Sequence, residues 1–178
     1  MTDYTPIFHS SIEAKAKTGD ETLLDLSGAP IRLIQEPVNS LPGVDIPPRP
    51  GDVTDAGDAL LCRLTPAELY LFGKTPAAEL SSLPDSLRPT DLTHGRAVLK
   101  LRSPGAAEAL SAICGLDFHD TAFPNLQVRQ TSAAKVKTLI ARADENGAPT
   151  YYLHVPRPFG QYFWDTLRDA MDGVTSDR

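Results

Sequence analysis

At 178 residues the chain can bury roughly 70% of its unfolded-state surface without a disulfide or metal staple, so one domain, or two small halves sharing a core, is expected. Its 17 basic and 23 acidic side chains give a formal net charge of −6, which works against attraction to phosphate backbones and removes nucleic acid from the expected partners. Cys62 and Cys114 stand apart in apolar settings, and neither a basic-then-apolar leader nor a bilayer-length apolar run occurs, so a soluble, cytoplasmic protein with no membrane partner is expected.

The first fifty residues specify little regular structure. Ser10 and Glu13 have capping-box spacing for a short helix within Phe8 to Lys17. Glu21 to Leu26 and Ile31 to Gln35 read as short strands, which a turn through Gly28-Ala29-Pro30 would join as a hairpin. Prolines 37, 42, 47, 48 and 50 each remove a backbone donor and fix φ. The segment they occupy is therefore expected to be irregular, either a covering arm or a seam between two halves. Residues 1–54 are accordingly read as an N-terminal arm with a hairpin and a Pro-rich linker, and 55–173 as the main α+β domain.

From Ala59 the pattern strengthens. Ala59 to Leu64 and Leu69 to Gly73 flank a turn at Thr65-Pro66-Ala67-Glu68, and runs this apolar belong in mid-sheet with both faces covered. Thr75 and Pro76 suit the start of a short helix over Pro76 to Leu83. Arg96 to Arg102 alternates, with Ala97, Leu99 and Leu101 on the core face and Arg96, Lys100 and Arg102 on the other. Ser103 is placed as an N-cap and Pro104 in the first turn of a helix striped by Ala107, Leu110, Ile113 and Cys114 and ended by Gly115. A loop over Leu116 to Pro124, anchored by two aromatics, precedes strands at Val128 to Thr131 and Lys135 to Arg142. Asn146-Gly147 tolerates the positive φ of a hairpin turn, and Tyr151, Leu153 and Val155 alternate on the returning strand. A final helix from Pro158 to about Met171 turns Phe159, Phe163, Leu167 and Ala170 inward. Strand, helix, three strands and helix make a split βαβ-like pattern, with helices on one side of a largely antiparallel sheet.

Candidate chemistry is sparse. His94-Gly95-Arg96 offers an imidazole, a flexible backbone position and a guanidinium for an anion, yet a tight entry into the strand accounts for it without function. His119 beside Asp120, and His154 within a strand, have the right side chains for proton transfer, but spacing supplies no partner geometry; the same holds for His9. No nucleophile elbow, phosphate-cradling glycine loop or clustered metal ligands occur, so no catalytic, cofactor or metal residue is assigned. Arg129, Lys135, Lys137 and Arg142 form a basic set on the hairpin, a solvated face or a dock for an acidic partner. The aromatics between Tyr151 and Trp164 outnumber the inward positions available, which leaves Tyr162 or Trp164 for an exposed edge suited to a protein interface.

The series Asp91-Leu92-Thr93-His94-Gly95-Arg96-Ala97-Val98-Leu99, Ser103-Pro104-Gly105-Ala106-Ala107, Leu116-Asp117-Phe118-His119 and Ala122-Phe123-Pro124 resembles the gamma subunit of bacterial heterotetrameric sarcosine oxidase. Gln130-Thr131, Tyr152-Leu153-His154-Val155-Pro156-Arg157-Pro158-Phe159 and Tyr162-Phe163-Trp164-Asp165-Thr166-Leu167 look like that family's closing strand and helix. The resemblance spans about residues 55 to 172. It implies a fold related to the folate-binding domain of the aminomethyltransferases (glycine cleavage T-protein), with ferredoxin-like split βαβ halves. It also implies an accessory chain without catalytic residues, assembled with alpha, beta and delta subunits that carry the FAD, FMN, NAD, zinc and tetrahydrofolate sites. Such a complex oxidises sarcosine to glycine, with hydrogen peroxide and a one-carbon unit as further products. Arg96, Arg157, Tyr162 and Trp164 are then the expected partner-facing residues. A free-standing folate-binding or aminomethyltransferase-like protein is the alternative.

Overall fold

Two five-stranded antiparallel sheets stack face to face in a computed structural model of the chain, which describes residues 9–12, 22–41, 43–80, 83–84 and 87–176. In chain order the strands are β1 (Leu23–Asp25), β2 (Ile31–Ile34), β3 (Val53–Asp55), β4 (Ala59–Thr65), β5 (Glu68–Gly73), β6 (Thr90–Asp91), β7 (Arg96–Arg102), β8 (Gln127–Ala133), β9 (Val136–Arg142) and β10 (Thr150–Pro156). Helix α1 (Ala106–Ile113) follows β7, and helix α2 (Gly160–Ser176) follows β10. The first sheet has the order β1-β7-β10-β9-β8 and the second β3-β4-β5-β2-β6. This is the expected α+β architecture, with both helices packed on one face of an antiparallel sheet. Among the described residues no helix is long and apolar enough to cross a membrane.

Period-two side-chain placement explains why the central strands are apolar on both faces. On β7 and β10, Leu99, Leu101, Tyr151 and Leu153 turn toward the helices, where they meet Leu110, Phe163 and Leu167. Their neighbours Val98 and Tyr152 turn the other way and pack with Leu60, Phe72 and Ile31 of the second sheet. The far face of that second sheet carries Ile34, Leu61, Leu69 and Leu71, covered by Val38 and Leu41. The proline-rich stretch is therefore a covering arm. Arg63 pins it, donating from Nε to the Pro47 carbonyl at 2.6 Å and from Nη2 to the Val38 carbonyl at 3.0 Å.

Several local expectations are corrected. β1 and β2 form no hairpin: β1 pairs with β7, Leu23 opposite Leu101, while β2 pairs with β5 and β6. Strands of three and four residues bury more by extending a long apolar partner than by pairing with each other, and the Gly28 turn, at φ 98°, serves to carry the chain between sheets. Residues 9–12 are not helical: the Ser10 hydroxyl donates to Asp25 Oδ2 at 2.5 Å and accepts from the Ile12 amide, and the rest of the helix expected after it lies outside the described residues. The expected helix after Thr75 is one turn, Ala78 N to Thr75 O at 3.1 Å, after which Leu80 and Leu83 spread on the sheet; 81–82 lie outside the described residues. Ser103 and Pro104 sit in a turn preceding α1, where the Ser103 hydroxyl accepts from the Gly105 amide and its carbonyl from the Ala106 amide. The helix stops at Ile113 because Cys114 is already extended and bridged to Ala133.

Candidate functional site

The register of β7 against β10 sets Arg96 opposite Pro156, at the end of the first sheet that lies beside the β4–β5 turn. There the two sheets part, and a cleft of about 520 Å³ opens between them. Its walls are Leu33, Leu64, Leu92, Leu139 and Pro156, and its polar groups include Arg96, Tyr70, His154, Lys137, Thr138 and Glu68. Tyr70 of β5 and His154 of β10 face each other across the space between the sheets. They are 3% and 1% exposed, with Tyr70 Oη 3.2 Å from His154 Nδ1. Their rings meet edge to face at 5.3 Å between centroids, and Phe72 closes on the imidazole at 4.3 Å.

Tyr70 Oη and His154 Nδ1 share this hydrogen bond, and His154 Nε2 is buried without a hydrogen-bond partner among the described residues. Burial, with the positive charge of Arg96 adding to it, pulls the His154 pKa down to about 3, so the ring is neutral at physiological pH. Burial likewise pushes the Tyr70 pKa upward against the opposing effect of Arg96, and the phenol keeps its proton. The cleft thus presents the Arg96 guanidinium above an uncharged, hydrogen-bonded floor.

Of the residues singled out in the sequence, Arg96 reaches this cleft and its neighbours do not. His94 and Gly95 lie in a 3-10 turn, Thr93–Gly95, and Gly95 has no positive φ, so a tight helical entry rather than a bulge precedes β7. Arg157 binds the His9 and His94 carbonyls, strapping the N-terminal segment against that turn. Tyr162 is 51% exposed and donates to the Ala134 carbonyl at 3.2 Å. Trp164 corrects the expectation of an exposed edge: it is 3% exposed within the helix-facing core, while Phe159 is 48% exposed. The cause is that α2 packs on α1 as well as on the sheet, which widens its buried arc to take in Phe163 and Trp164 together, whereas Phe159 precedes the helix.

The basic set on the hairpin also separates. Arg142 is 4% exposed, with Nε and Nη2 on the two oxygens of Asp144 at 2.9 and 3.0 Å and Nη1 on Asp120 at 2.6 Å and the Phe123 carbonyl at 2.8 Å. Arg129 lies over the Phe123 ring, and Lys135 is exposed at the hairpin turn. His119 closes its own surface turn, its amide on Asp117 and its Nδ1 2.9 Å from Thr121. Tyr70, Thr138 and Glu68 went unnoticed as site residues; the available signal was strand parity, which sets Tyr70 and His154 on facing sides of two central strands.

No family model matches the sequence, and no curated protein is significantly similar to it. Solved structures are similar in fold. One is a chain of the heterotetrameric sarcosine oxidase from Corynebacterium sp. U-96 in complex with pyrrole 2-carboxylate, 22% identical, with a TM-score of 0.67 over 85% of this chain and 84% of that one. Another is the glycine cleavage system aminomethyltransferase T from Bartonella henselae, 17% identical, with a TM-score of 0.56 over 82% of this chain and 44% of that one. At such identities the likeness establishes the fold, which is the one the sequence resemblance implies.

Proposed function

We propose that the chain is an accessory, non-catalytic subunit of a heterotetrameric sarcosine oxidase, corresponding to the gamma chain. The observation that carries this reading is the balance of the two structural matches. The fold aligns over nearly equal shares of this chain and of a sarcosine oxidase chain, but over less than half of an aminomethyltransferase. A chain that aligns with most of one subunit of a complex fits an accessory subunit better than a free-standing transferase. On this reading the alpha, beta and delta subunits carry FAD, FMN, NAD, zinc and the tetrahydrofolate site, and the reaction is oxidative demethylation of sarcosine in the cytoplasm. Tyr162, exposed in the first turn of α2, Phe159, exposed just before that helix, and Arg157 beside it are the proposed partner-facing residues. Trp164, being buried, is not among them.

Purification of the untagged complex from the source cells tests the reading. The chain is expected to co-elute with flavin absorbance and with larger subunits; elution alone, free of flavin, overturns it. Titration of the isolated chain with tetrahydrofolate separates the alternative, since saturable binding there favours a free-standing folate-binding protein of the same fold.

A further inference from the structure

We propose that the cleft between the two sheets binds a small organic anion, one carboxylate on an apolar body, gripped by Arg96 and Lys137. The proposal goes beyond a subunit role and stands on the cleft's own geometry. Its volume, about 520 Å³, falls within the roughly 300–1,000 Å³ typical of small-molecule sites. Five apolar side chains form its walls, so an occupant gains by bringing hydrocarbon into them.

Charge and hydrogen bonding define the other end of the ligand. Among the described residues no carboxylate is paired with Arg96. The carboxylate in the cleft, Glu68, accepts from Gln35 Nε2 at 3.4 Å. Lys137 is exposed at the rim and adds a second positive charge. Deeper in, His154 is 1% exposed and hydrogen-bonded to Tyr70, so the floor of the cleft is neutral and leaves the anion to the two cations. A planar carboxylate accepts from a guanidinium fork and an ammonium at once, and it brings a single negative charge to a site where Glu68 opposes a second.

The test uses the full chain and four probes: benzoate and hexanoate as carboxylates on aromatic and aliphatic bodies, benzyl alcohol as a neutral analogue, and sodium chloride at matched ionic strength. Nitrogen-15 NMR of the His154 imidazole and isothermal titration calorimetry read the result. Benzoate or hexanoate is expected to shift the His154 ring-nitrogen resonance saturably, through the change in charge above the imidazole, while benzyl alcohol and chloride leave it in place. Arg96→Gln is expected to weaken binding about tenfold, as loss of one charge-assisted contact does, and Lys137→Gln by a smaller factor. The proposal is overturned if neither carboxylate saturates, if benzyl alcohol shifts the resonance equally, or if both variants bind as the parent does. Lys137 is exposed, so its variant remains informative even if substitution at Arg96 disturbs the strand end.

Discussion

Arg142 and Arg96 sit at opposite ends of β10, one beside Tyr151 and the other opposite Pro156, and they meet opposite fates. Arg142 spends its donors inside the protein, on both oxygens of Asp144, on Asp120 and on the Phe123 carbonyl, while its guanidinium lies 5.7 Å from the centre of the Tyr151 ring. Arg96 has no carboxylate partner among the described residues and lines an open cleft. The difference separates structure from binding: a cation whose donors are matched locally fixes two loops to a sheet, and one whose donors are left over is available to a ligand. Arg63 belongs with Arg142, since its three recorded acceptors are carbonyls of the arm and the β4–β5 turn.

The comparison breaks most visibly at Arg142. Arg142→Ala strands the Phe123 carbonyl and the Asp144 carboxylate, and is expected to cost about 3–5 kcal/mol, read as a lowered urea midpoint. The hydrogen bond from Arg142 first, and its charge second, hold Asp120 below the usual carboxylate range. That stabilisation is present above the unfolded value near pH 4 and is lost as pH falls through the lower folded value, so the variant should lose this acid dependence. Arg63→Ala comes next, at about 2–4 kcal/mol, because several carbonyls lose a charged donor and the arm loses its pin. Limited proteolysis within residues 38–50 should accelerate in that variant and not in Arg142→Ala.

His154 sharpens the contrast through pH. Its ordinary value near 6.5 falls to about 3 in the fold, so between those values the unfolded chain binds a proton that the folded chain refuses. Stability contributed by this group is complete above pH 6.5 and declines by up to about 1.4 kcal/mol per pH unit as pH falls toward 3. Urea denaturation at several pH values checks it: His154→Gln should start lower at neutral pH and show a flatter decline in acid.

How much of this was legible in the sequence follows from the range of the forces involved. The β4–β5 hairpin, the alternation of β7 and β10 and the Asn146-Gly147 turn, at φ 51° and 76°, are set by near neighbours and are found where expected. The destinations of β1 and β2 are set by partners some forty to eighty residues away, and no local pattern records which sheet each will join. Trp164 was misplaced for a similar reason: helical periodicity gives one inward face, and only the presence of α1 gives α2 a second. The cleft was half visible. Arg96 stood out as a cation at a strand entry, but the role of Tyr70 depends on two sheets stacking in one register, a fact of tertiary structure alone.

The smallest stability effect is expected where the functional effect is largest. Arg96 is half-buried at a strand end with no carboxylate paired to it among the described residues, and the phenol of Tyr70 has His154 as its own partner. Arg96→Gln therefore breaks no ion pair, and the change in unfolding free energy should stay below about 1 kcal/mol. The same substitution removes the positive charge that helps depress His154, so the imidazole pKa should rise, measurably by NMR titration. A loss of several kcal/mol would instead place Arg96 with Arg142 and Arg63 among the residues that hold the fold, and the two ends of β10 would no longer differ in kind.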